Sequence, residues 1–181
     1  MTTLRATIVV FSFGVITLFG TNHAHTQTVS LQAELLKDWS ALKTTVHGIA
    51  DEMPADKYGF RPTQAQQTFG ERTVHIAIVN VALLSTLGGT PIPKPAIDPK
   101  ATTKDAALKA LDDSFDYGMA LLKQQSNETL LERAEAPPQF LGPSSRARII
   151  GFLVGHAWDI YGQMAVYLRL NGHVPPASQK M

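Results

Sequence analysis

The sequence predicts an all-α protein: a four-helix bundle with one long crossover loop, preceded by an N-terminal signal peptide. Three observations predict it. Four segments repeat their apolar residues at steps of three and four, Pro- and Gly-rich stretches separate them, and no segment shows the period of two that a strand requires. A chain of 181 residues has room for one sizeable core, and not for two once a signal is subtracted.

The N-terminus reads in signal order, with a single positive charge (Arg5), an apolar run at 6–20 (ATIVVFSFGVITLFG) and a polar stretch at 21–27. A membrane span wants about 20 apolar residues, and this run is shorter. Cleavage after Ala24 or Thr26 is therefore expected. Residues 1–26 are then the signal and 27–181 the domain, with the product in the periplasm or outside the cell and no stable membrane anchor left on it. An uncleaved anchor is the alternative, because neither site is an ideal A-x-A. Cysteine is absent, which excludes disulfides, a thiol nucleophile and Cys-ligated zinc. The 16 basic and 15 acidic side chains become 15 and 15 once Arg5 is removed, so no basic surface advertises nucleic acid.

The first helix is expected over 29–53, with Leu35, Trp39, Leu42, Val46, Ile49 and Met53 as its seam, Ser30 as N-cap and Pro54 as stop. Residues 54–67 hold two prolines and should cross the end of the bundle. Thr68 and Glu71 form a capping box for a second, largely apolar helix over 69–87, closed by Gly88-Gly89. Residues 88–102 (GGTPIPKPAIDPKAT) carry four prolines and cannot be helical, but they are long enough to run back along the bundle. A third helix opens at Thr102 or Thr103 and reaches about residue 126, with Leu108, Leu111, Phe115, Met119 and Leu122 on its apolar face. The fourth spans 144–171 and stops at Gly172. Its seam, stepped by alternating fours and threes, is Ile149, Leu153, His156, Ile160, Gln163, Tyr167 and Leu170, which points His156 and Gln163 inward.

His75 on the apolar second helix and His156 on the last seam are the residues that could meet inside a bundle and hold a divalent metal. Buried neutral imidazoles with one hydrogen bond each are the plainer account of both. A catalytic metal generally needs three protein ligands. The residue one turn beyond His156 is Ile160, which coordinates nothing. Asp159 and His47 are the substitutes within reach, although a surface carboxylate and a boundary histidine describe them as well.

Residues 58–75 (YGFRPTQAQQTFGERTVH) and 156–178 (HAWDIYGQMAVYLRLNGHVPPAS) resemble the two signature regions of DinB-like proteins, the four-helix-bundle superfamily that also contains YfiT and the mycothiol-dependent maleylpyruvate isomerases. The similarity in order and spacing covers nearly all of the chain beyond the signal. It implies one divalent metal, zinc or nickel, on three ligands: a histidine matching His75 and an H-x-x-x-H pair on the last helix. His156 matches the first of that pair and Ile160 stands where the second belongs, so the resemblance implies a metal weakly bound or absent. Tyr161-Gly162-Gln163 matches the motif that follows, and Tyr161, Gln163 and Trp158 are the expected lining of a pocket.

The first reading of function is thus an exported domain with a degenerate metal site, serving as a small-molecule-binding or structural protein of the envelope. The alternative is a divalent-metal-dependent transferase or hydrolase in which His75 and His156 gain Asp159, His47, water or a substrate group as third ligand. An interaction role, as a homodimer built through the helices, is a third reading.

Overall fold

The computed structural model describes residues 29–179, so the expected signal and its cleavage site lie outside the described residues. The described part is helical: α1 (Leu31–Glu52), α2 (Phe69–Leu84), α3 (Lys104–Lys123), the short α4 (Asn127–Leu131) and α5 (Arg146–Leu170), with 3-10 turns at Ala55–Lys57 and Pro176–Ser178. No strand occurs among the described residues, only an isolated bridge between Arg133 and Ser145.

The helix starts follow from local chemistry. Ser30 accepts from the Ala33 amide at the head of α1. Thr68 Oγ1 accepts from the Glu71 amide at 3.2 Å while the Glu71 carboxylate accepts from the Thr68 amide at 2.7 Å, so both partners of the expected capping box are in place. Gly88 and Gly89, with φ of 80° and 104°, turn the chain away after α2 in a conformation that glycine adopts without penalty.

The four long helices form a ring in which α3 packs on α1 and α2, and α5 packs on the same two. Helices α1 and α2 therefore sit across a diagonal, and residues 54–67 carry the chain over the end of the bundle, as their prolines suggest. Residues 88–102 then run back along α3. Ile92 lies beside Tyr117, Ile97 and Asp98 lie beside Ala110, and the Thr102 carbonyl meets Gly70 at the head of α2, where a Cβ would not fit. With that crossover α2 and α3 run parallel. The core inside the ring includes Trp39, Leu42, Ile49, Phe69, Phe115, Leu153 and Met164, all essentially without exposure. Trp39 donates its indole N–H to the Phe115 carbonyl at 2.9 Å, which satisfies the one polar atom of the largest core side chain.

Three expectations need correction. A fifth helix, α4, lies in what reads as a loop after α3; it is a single capped turn in which Ser126 and Thr129 cap each other, too short to show periodicity. Helix α2 ends at Leu84, and residues 85–87 follow as turns with Thr86 N–H on Leu83 O and Leu87 N–H on Leu84 O. On α5 the seam drifts. Met164, Ala165 and Leu168 are buried where a strict seven-residue step expects Gln163 and Leu170; Leu170 is 59% exposed and Gln163 lies at the boundary. An α-helix has 3.6 residues per turn, so a 3.5-residue reading slips by about 20° every heptad, and by the third its edge residues leave the core while Tyr167 stays buried.

Candidate functional site

Adjacent packing of α2 and α5 decides what His75 and His156 can do. Both are half-buried on facing flanks of these helices, and their Nε2 atoms stand 3.2 Å apart, with ring centroids at 5.2 Å. One Nε2 carries the shared proton and donates; the other accepts. Phe152, one turn before His156, stacks on its ring with centroids at 6.3 Å and planes 19° apart, and Phe140 lies on Phe152 from outside at 5.5 Å. Nδ1 of His156 is buried with no hydrogen-bond partner.

Both imidazoles are held below the usual histidine range. Burial is the main cause for His75, with the Arg72 guanidinium adding to it; burial is also the main cause for His156, with His75 adding to it and the Asp159 carboxylate opposing. The pair is therefore neutral near pH 7.

The remaining sequence candidates fall elsewhere. Ile160 is 5% exposed and part of the core cluster. Asp159 is exposed and accepts from the Gln163 amide at 2.8 Å. His47 lies at the α1–α3 boundary, its Nδ1 3.1 Å from Asp112. Trp158 and Tyr161 stand edge to face at 5.3 Å. They follow His156 by two and five residues, about 200° and about 140° around the helix, and so occupy the flank away from α2. Gln163, about 20° from His156 in the same projection, shares its flank. Grooves of the described surface run along the crossover and around Tyr58.

Two nitrogens on one tetrahedral zinc would stand about 3.3 Å apart, so the Nε2 spacing alone is compatible with a metal. The rest of the site does not fit one. No group of three or more His, Cys, Asp or Glu side chains that could hold a metal occurs among the described residues. A metal-bound imidazole also usually donates its second N–H to a carboxylate or carbonyl, and His156 Nδ1 has neither.

Sequence reasoning overlooked Arg72, one turn before His75. Its Nε donates to Tyr167 Oη at 2.8 Å, and that hydroxyl donates onward to the Gln67 carbonyl at 2.9 Å. The signal available was that Arg72 is the last charged residue of α2 before a stretch from Thr73 to Leu84 without Asp, Glu, Lys or Arg.

Residues 38–164 match the sequence profile of the DinB superfamily. In fold the chain is similar to a DinB-like protein from Bacillus cereus, with a TM-score of 0.63 and 17% identity over 81% of this chain and 96% of that one. A DinB-like protein from Bacillus subtilis is similar at a TM-score of 0.60 and 13% identity, over 78% of this chain and 94% of that one. No curated protein matches in sequence. The helical ring, its two signature stretches and the profile match agree: the chain belongs to the DinB superfamily.

Proposed function

We propose that this protein is an exported DinB-superfamily domain whose metal site has become a hydrogen-bonded imidazole pair, and that it acts in the cell envelope by binding a small molecule rather than by metal catalysis. The observation that carries the reading is the pairing of His75 with His156 beside a buried Ile160. Two imidazoles that satisfy each other through one proton form a closed neutral unit, and Ile160 extends the core to the place where a third ligand would stand. Export rests on the composition of residues 1–27 alone. Among the described residues no helix is long and apolar enough to cross a membrane.

The competing reading, a divalent-metal-dependent transferase or hydrolase, has the Nε2 spacing in its favour. Its substitute ligands are engaged elsewhere, Asp159 with Gln163 and His47 with Asp112. Elemental analysis of protein purified without chelator separates the two. Zinc and nickel well below one equivalent per chain are expected; a stoichiometric metal overturns the degenerate reading and makes Asp159 and His47 the first residues to mutate.

A further inference from the structure

Arg72, whose charge has no carboxylate partner among the described residues, stands beside the imidazole pair and suggests what the site takes. Arg72 and Arg146 are both partly buried, yet they are treated differently. Arg146 has Glu132 at 3.3 Å and the Gln125 side-chain oxygen at 2.9 Å. Arg72 has no carboxylate oxygen within 4 Å among the described residues. A half-buried cation without a counter-ion is costly, and this one also opposes any positive charge on His75. An anion at this place would relieve both penalties.

The guanidinium is held rather than loose. Tyr167, 1% exposed, takes the Nε–H, and the guanidinium carbon lies 5.3 Å from the centre of the same ring. With the Nε side occupied, the two terminal nitrogens keep their N–H groups for an end-on, two-pronged contact, the geometry that a planar carboxylate matches. Nδ1 of His75 makes no hydrogen bond to another described residue and belongs to the next turn of the same helix face. If it carries the proton, Nε2 of His75 accepts from Nε2–H of His156, and the buried Nδ1 of His156 is left as a bare lone pair rather than a stranded N–H, the cheaper of the two arrangements.

We propose that Arg72, with His75 one turn beyond it, is a receptor for the carboxylate group of a small organic acid. This rests on the reading of the site as a ligand-binding, metal-free pair, and it names the class of ligand. Tyr167 is the positioning residue, fixing the fork without touching the acid.

The test is a nuclear magnetic resonance titration of the protein with sodium acetate, against sodium chloride and sodium phosphate at equal ionic strength, following the Arg72 side-chain N–H signals and the backbone amides of residues 72–75. Acetate should move these signals saturably, while chloride and phosphate produce only a small linear drift. Arg72→Lys keeps the charge and loses the fork, and should weaken acetate at least about tenfold. Saturation by phosphate in place of acetate, equal drift with all three salts, or unchanged acetate binding in Arg72→Lys would each overturn the carboxylate receptor. Metal content measured on the same sample keeps the two ideas apart: a metal-free protein that ignores acetate loses only this inference. A metal-loaded protein loses the degenerate reading, and the receptor then stands or falls on the titration repeated after metal removal.

Discussion

At the His75–His156 contact, burial sets the charge state, and this has a consequence for stability against pH. Both folded-state values lie below the ordinary 6.5 of an unfolded histidine, so between the folded value and 6.5 the unfolded chain binds more protons. Stability from the neutral pair is then complete above about pH 6.5 and is lost as pH falls through the folded values. Thermal denaturation from pH 7.5 to 5 should show the melting temperature falling, and a His75→Gln, His156→Gln double variant should flatten that slope; an equal slope in both proteins would contradict the neutral pair. Single residues were unevenly legible in the sequence. His75 and His156 stand out as imidazoles on apolar helix faces, so their meeting could be anticipated. Arg72 could not be read the same way, because its role comes from Tyr167, 95 residues further along the chain. The match of Tyr161-Gly162-Gln163 to the family motif suggests pocket lining for Tyr161, with Trp158 beside it, whereas helix geometry turns both to the flank away from His156.

Several helix ends were legible from a cap or a breaker, although Gly88-Gly89 overstates the length of α2 and the cap of α4 goes unread. Thr68 with Glu71, Ser30, and Gly172 with its φ of 79° all stand at helix boundaries. What sequence pattern could not supply was the phase of a long helix. On α5, with its 25 residues, the heptad reading is right at Leu153, Ile160 and Tyr167 but places Gln163 and Leu170 too far inward, because a small angular slip accumulates with length. Leu153 sits before the slip matters and is fully buried. Leu153→Ala should therefore cost about 2 to 5 kcal/mol in chemical denaturation, transfer and cavity contributions together. A variant as stable as the parent would mean that this part of α5 does not face the core. Helix α4 had no periodic signal to offer, since one turn holds a single buried residue, Leu130.

Across the whole molecule, the diagonal placement of α1 and α2 and the return of residues 88–102 along α3 bring α2 and α5 side by side, and that adjacency creates the site. The two Pro-rich connections were informative because prolines forbid helix at those places and leave lengths that only a crossing and a return can use. Export, proposed from the composition of residues 1–27, is also tested on the whole chain. Mass spectrometry of the protein from its native host should find an N-terminus within a few residues of Ala24 to Thr26, and recovery of residues 1–20 in a membrane fraction would make it an anchored protein instead. The central claim, that an imidazole pair has replaced a metal centre because Ile160 stands where a ligand would, is tested most directly by a zinc titration of the parent, Ile160→His, and Ile160→His combined with His75→Ala. An imidazole at 160 lies one turn from His156 on nearly the same face, so zinc affinity should rise at least about tenfold, roughly 1.4 kcal/mol, over a weakly binding parent, and the added His75→Ala should abolish the gain. Equal zinc affinity in the parent and Ile160→His would contradict the account.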